Sequence, residues 1–388
     1  MIPSGPDSTG PSARHLYLHV PFCRRRCSYC DFSIAVRKSV PTRAFIDAIM
    51  AECATRSIRP EALALDTLYL GGGTPSQLGG AGLAELVGIF PRTPSVEGFP
   101  TSGTEVTVEA NPEDVDGSEV QAWVAAGVNR VSLGVQSFNP AVLDWMHRSH
   151  GPEGARRAVE ILRSGGVGNL SLDLIFGVPE VLGRDWSADL DAALALEPEH
   201  LSVYGLTVEP HTPLGRWTAR GSAVEIPEDS WAAEFLEADR RLQAAGYEHY
   251  EVSNYAKPGF RSRHNSSYWQ GTAYLGLGPS AHGVDGKERR WSLSAYAAWE
   301  EAVSKGADPI EGSEMIGPAE LLAESVYLGL RTADGLTIRQ NEVQVVTPWT
   351  SAGWAALVAD KLRLTPVGWL RLDSIAATLT SARSRSYS

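Results

Sequence analysis

Cysteine is scarce in this chain of 388 residues: there are four, and three of them, Cys23, Cys27 and Cys30, lie within one short stretch. Bridging any two of those three would close a strained, very small loop, so a disulfide framework is excluded and a reducing compartment is implied. Long apolar runs are also missing. No stretch approaches the roughly 20 apolar residues that span a bilayer, so at most transient membrane association is expected. Residues 1–14 are rich in Pro, Ser and Gly with no apolar core, which excludes a signal peptide and predicts a flexible N-terminus on a cytoplasmic protein. Positive charge is in deficit, with 34 Lys and Arg against 46 Asp and Glu, a formal net charge of −12. That balance excludes a generic polyanion binder and argues against nucleic acid as a partner. Arg24, Arg25 and Arg26 form a local basic exception.

What the chain does have is alternation. Short apolar runs at 16–20, 67–70, 105–109, 130–135, 170–176 and 200–206 alternate with helical patterns, the signature of βα units and a parallel sheet. Eight such units close a barrel, so six predict a partial (β/α)6 TIM-like barrel over 15–215. Ligands bind at the carboxyl ends of such strands. The chemically unusual residues fall there: the cysteines, Gly71 to Gly73, Glu109, Gln136 and Asp173. Three prolines and two glycines within 210–227 predict a linker. Residues 216–380 read as a second, mostly helical domain. It contains an amphipathic helix at 229–245, an edge strand within 247–255 and a helix–hairpin–helix ending that resembles a winged helix. Residues 381–388 are expected to be a disordered tail.

Three thiols at C-x3-C-x2-C can reach one metal centre from one loop and leave a ligand position open for chemistry. A structural zinc site is an alternative, with His19 as a candidate fourth ligand, and chance clustering is another. Cys53 follows Phe45 and Ile49 at helical spacing and reads as core. The triple glycine reads as a tight turn or as a place where backbone approaches a ligand. Glu109 and Asp173 suit ribose hydroxyls or an ammonium, and Gln136 offers both donor and acceptor. Arg148 is either a surface charge or a fork for a carboxylate.

The cysteine spacing, with Tyr29 before the third thiol, resembles the radical S-adenosylmethionine (SAM) superfamily, in which a [4Fe–4S] cluster leaves one iron open for SAM. The stretches Tyr17-Leu-His-Val-Pro-Phe-Cys23, Gly71-Gly-Gly-Thr-Pro75, Leu133-Gly-Val-Gln-Ser-Phe138, Asp173-Leu-Ile-Phe-Gly-Val-Pro179 and Leu364-Thr-Pro-Val-Gly368 narrow the resemblance to its coproporphyrinogen III oxidase-like branch. The match spans about residues 15 to 375. It implies SAM contacts at Tyr17, Tyr29, Gly72, Gly73, Thr74, Glu109, Gln136, Arg148 and Asp173, with Cys23, Cys27 and Cys30 on the cluster. Within the branch, the oxidases carry a fourth cysteine where this chain has Phe32, and a longer N-terminal extension. Those departures point to the HemW-type haem chaperones, as does His264-Asn265-Ser266-Ser267-Tyr268-Trp269, similar to their H-N-x-x-Y-W motif. The resemblance implies haem bound near His264, Asn265, Tyr268 and Trp269, haem-acceptor proteins as partners, and a reductant such as flavodoxin or ferredoxin. His249 and His282 compete with His264 as iron ligands. An oxygen-independent coproporphyrinogen oxidase is the rival reading, and a metal-binding structural protein a third.

Overall fold

The computed structural model describes residues 13–94 and 103–385. The expectations for residues 1–12 and 386–388 lie outside the described residues. Six strands form the parallel centre: β1 (His15–Val20), β2 (Thr67–Gly72), β3 (Glu105–Ala110), β4 (Arg130–Gln136), β5 (Leu170–Phe176) and β6 (His200–Gly205). Helices α1 (Thr42–Thr55), α2 (Gly79–Gly88), α3 (Gly117–Ala125), α4 (Pro140–Trp145), α5 (Pro152–Ser164) and α6 (Trp186–Leu194) connect them. Local chemistry starts several of these helices. Asp116 caps α3 by accepting from the Ser118 amide, and Asn139 caps α4 by accepting from the Ala141 and Val142 amides.

Residues alternate faces along each strand. Leu16, Leu18 and Val20, then Leu68 and Leu70, then Val131, Leu133 and Val135 face the helices in the main apolar core. The other face turns inward and is polar: Glu109, Arg130, Ser132, Gln136, Asp173 and Ser202 line one internal cavity. The core therefore lies between sheet and helices, and the lumen is left for chemistry.

The second half of the chain completes this sheet. Beyond α7 (Pro213–Ala219) and α8 (Glu228–Ala244) come β7 (Glu248–Glu251), β8 (Asn254–Ala256), α9 (Arg263–Trp269) and β9 (Leu275–Leu277). The nine-stranded order is β9-β1-β2-β3-β4-β5-β6-β8-β7, with β9 parallel to β1 and β8 antiparallel to β6. A boundary at residue 215 thus does not separate the sheets, because later strands cover both edges of the six.

Two expectations are corrected. The stretch read as a linker carries α7, whose Leu214 is buried and whose Leu214 amide donates to the Ser28 carbonyl at 2.8 Å. The C-terminal part is mostly helical and also carries two small sheets. A three-stranded antiparallel sheet of β10 (His282–Asp285), β11 (Glu288–Ser292) and β12 (Ile310–Met315) was not legible, because its residues are largely exposed and lack apolar alternation. After α10 (Tyr296–Ser304) and α11 (Pro318–Arg331), a second small sheet has the order β13 (Leu336–Thr337), β15 (Lys361–Leu364), β14 (Ala355–Val358), with α12 (Val343–Ser351) before the hairpin and α13 (Pro366–Trp369) after it. Finally, 381–385 is not disordered. It ends α14 (Leu372–Arg385), where buried Arg383 pairs with Glu342 at 2.7 Å.

Candidate functional site

The cysteine loop leaves the carboxyl end of β1 and is held at its neck. Phe22 and Cys23 pair in parallel with Ala35 and Val36, and buried Phe22 meets Phe45 and Tyr296 edge-on at 5.3 and 5.1 Å. Ser28 pins the far side, its amide donating to the Met146 carbonyl at 3.2 Å and its hydroxyl to the Trp145 carbonyl at 3.0 Å. Cys23, Cys27 and Cys30 are free, half-buried thiols on one cavity of about 440 Å³. Burial pushes the Cys23 thiol up to about 12 and the Cys30 thiol up to about 11. Thiols in that state ionise when a cationic centre supplies the missing charge.

Among the described residues, no three His, Cys, Asp or Glu side chains gather around a single ion position, as structural zinc requires. A [4Fe–4S] cluster makes no such demand, since each thiolate takes a different iron. His19, the candidate zinc ligand, is committed elsewhere: Nε2 donates to the Ser33 carbonyl at 2.9 Å and Nδ1 meets the Tyr17 hydroxyl at 3.2 Å. Burial lowers its pKa to about 4.

A chain of polar contacts rings the mouth. Thr74 Oγ1 lies 3.3 Å from Cys23 Sγ and accepts from Asn111 Nδ2 at 3.2 Å. Asn111 Oδ1 accepts from Arg148 Nη2 at 2.5 Å, while Arg148 Nη1 donates to Cys27 Sγ at 3.6 Å. Arg148 is therefore part of the cavity wall, not a surface charge, and its buried Nε has no partner. The glycine turn is shaped by the protein's own atoms. Gly72 has φ +109°, and a Cβ there would stand 2.5 Å from the His19 ring, while one on Gly73 would meet the Pro21 carbonyl at 2.7 Å.

Below this ring, Glu109 accepts from the Tyr69 hydroxyl at 2.7 Å and the Gly72 amide at 3.1 Å. Burial, reinforced by Asp173 and opposed by the Tyr69 bond, raises its pKa to about 7. Asp173, also pushed upward by burial, accepts from Ser132 at 3.0 and 3.1 Å. Gln136 sits at φ +67° beside an irregularity in the β4–β5 register, which turns its amide toward the cavity. Tyr29 lines the cavity against Val142, Met146, Ile175 and Val178. Of the nine residues expected to hold SAM, Tyr17 alone is not on the cavity wall. It stacks on Tyr69 at 6.0 Å, deeper in the lumen.

The H-N-x-x-Y-W stretch forms α9, which closes the opposite end of the barrel. Ser262 caps it, and Glu105 at the start of β3 accepts from its first two amides, Arg263 at 3.1 Å and His264 at 3.0 Å. Asn265 points to the barrel cavity, whereas Tyr268 and Trp269 line a separate groove of about 1100 Å³ bounded by Tyr274, Ile316, Tyr327 and Ala376. His264 faces neither space. It is 1% exposed, with Nδ1 2.6 Å from Thr67 Oγ1, Nε2 2.7 Å from the Tyr268 hydroxyl, and its ring stacked on Tyr69 at 5.0 Å. Both nitrogens are occupied, so the expectation of His264 as an open iron ligand is corrected. His249 bonds Asp239 at 2.8 Å and His282 stacks on Trp291 at 5.9 Å, both away from the groove lining.

A family model of the radical SAM superfamily matches residues 17–193. The haem chaperone HemW of Mycobacterium tuberculosis is 36% identical over 374 residues, covering 94% of each chain. The chain belongs to the HemW haem-chaperone family. HemW of Escherichia coli is 37% identical over 69% of each chain. Among solved structures, the E. coli radical SAM enzyme coproporphyrinogen III oxidase (HemN) superposes with a TM-score of 0.78, covering 96% of this chain and 91% of that one at 20% identity, a likeness of fold.

In this HemW-family chain, Phe32 is 60% exposed beside the cluster loop, where the resemblance places a thiol in the oxidases. Sequence reasoning missed Asn111, Arg130, Ser132, Ser202, Tyr204 and the groove. The first five sit at inward-facing strand positions or a strand end, and a stricter reading of the period-two alternation marks them. The groove walls come from segments more than 100 residues apart, which no local pattern links.

Proposed function

We propose that this protein carries haem to acceptor proteins, holding a [4Fe–4S] cluster on Cys23, Cys27 and Cys30 and SAM in the barrel beneath it. The observation that carries the haem part is the placement of Tyr268 and Trp269 on a roomy, aromatic groove outside the barrel. Flat apolar walls suit a porphyrin face, and phenols such as Tyr274 and Tyr327 are of a type that ligates haem iron. His264 then acts as the strut of α9.

Arg148 and Asn111 would orient the SAM carboxylate, with Glu109, Gln136 and Asp173 taking its ribose and cationic groups. When bound, the cluster and SAM supply one-electron chemistry; the chain's own work is to position them and exclude water. A flavodoxin- or ferredoxin-like donor is the proposed reductant, approaching the exposed Arg24 to Arg26 side of the mouth. No helix among the described residues is long and apolar enough to cross a membrane, and we place the protein in the cytoplasm as its thiols suggest.

The test is anaerobic haem titration of the full chain and of Trp269→Ala. Removing this wall should weaken haem binding about tenfold or more, about 1.4 kcal/mol, with iron and sulfide content unchanged. Unchanged affinity overturns the groove as the haem site. Conversion of coproporphyrinogen to protoporphyrinogen in the presence of SAM and reductant overturns the chaperone reading itself.

A further inference from the structure

Arg130 is left unused by everything above. It is 1% exposed and points into the barrel cavity, yet among the described residues it makes no hydrogen bond or ion pair, and its Nε is a buried donor without a partner. A guanidinium carries five N–H donors and stays charged, so burying it without an acceptor is costly. Directly opposite in register stands Thr107, 0% exposed, whose Oγ1 also lacks a partner. Two adjacent polar groups at one depth are thus unsatisfied by protein atoms, where native interiors leave few.

Depth separates this pair from the cofactor ring. Arg148 donates to the Gly134 carbonyl at 2.6 Å, and Gly134 lies four residues up β4 from Arg130, about 13 Å at a strand's rise per residue. Glu109, in register with Ser132, occupies the level between, and Asp173 stands level with Gly134. A carboxylate group matches the planar guanidinium fork, and its single charge suits a cavity that already holds two acidic side chains. A phosphate dianion would meet repulsion from both. Asn265 and Ser202, on the same cavity wall, offer further hydrogen bonds to a small organic molecule.

We propose that the floor of the barrel is a carboxylate site, in which Arg130, backed by Thr107, receives the carboxylate of a small organic ligand that is bound together with SAM above it. This does not depend on the haem reading, and the first arm of its test needs no SAM.

The probe is sodium propionate, titrated into the anaerobically purified full chain and followed by calorimetry and thermal melting, with sodium chloride and neutral propionamide as controls. Propionate should bind saturably and raise the melting temperature, as a ligand selective for the folded state does, and propionamide should not. Arg130→Met should weaken propionate binding at least about tenfold, and Arg130→Lys, which keeps the charge but not the fork, by less. Adding saturating SAM should leave propionate binding in place.

No saturable effect of propionate on the wild-type chain overturns the site, and so does equal affinity in either variant. Displacement of propionate by SAM overturns it as well, since the anion site then belongs to the cofactor. Should Arg130→Met fail to fold, the wild-type titration and Arg130→Lys decide.

Discussion

Glu109 is the residue whose chemistry depends most on its surroundings. Its ordinary pKa of 4.5 is raised to about 7 by burial, with Asp173 adding to the shift. A carboxyl whose folded pKa lies above its unfolded one holds its proton more readily in the folded state. Its contribution to stability is therefore complete below pH about 4.5 and is lost as pH rises through 7. We expect Glu109→Gln to flatten the pH dependence of the melting temperature across that window in the cofactor-free chain. The same residue should make SAM binding tighten as pH rises toward 7, because the cationic sulfonium favours the ionised carboxylate. Calorimetric SAM titrations at pH 6 and pH 8 check this, and the variant should lose the difference. The presence of Glu109 at a strand end was legible in the sequence, but its pKa was not, since that follows from burial among several strands, with Asp173 on another strand adding to it.

At the scale of the element, α9 is the informative case. Its capping signal is readable: Ser262 stands at the N-cap before the motif. What the sequence does not show is that a histidine in a haem-binding pattern would be used as a fastener. Thr67 Oγ1 bonds both His264 Nδ1 at 2.6 Å and His15 Nδ1 at 3.0 Å, joining α9 to the starts of β1 and β2. Thr67→Val keeps the shape and leaves the buried His264 nitrogen unpaired, a loss of about 1–3 kcal/mol by urea denaturation. Haem affinity should fall with it only as far as α9 shifts, whereas Trp269→Ala removes a wall of the groove itself.

On the scale of the whole molecule, the two halves of the chain are tied by buried charge. Glu52 on α1 pairs with Arg56 at 2.8 Å and accepts from the Gly278 amide at 2.8 Å and Trp299 Nε1 at 3.0 Å, while Arg56 donates to the Gly276 carbonyl at 2.7 Å. These contacts hold β9 on the open edge of the barrel. The same device secures the C-terminus, where Arg383 pairs with Glu342 and donates to the Thr337 carbonyl at 2.6 Å. Arg383→Met removes the ion pair of buried Glu342, which still accepts from the Arg339 amide at 2.9 Å, so unfolding should be easier by about 3 kcal/mol, with faster hydrogen exchange in α14.

By itself the sequence determined the six βα units, the cysteine loop at a strand's carboxyl end and most of the polar residues beneath it. Each of these rests on local periodicity or short spacing, which a single stretch carries whole. The tertiary structure decided the closing of both sheet edges by late strands, the burial of His264 and the formation of the groove beside Trp269. It also decided the isolation of Arg130, since whether a buried charge has a partner depends on side chains from strands far apart in the chain, and no local pattern records their meeting.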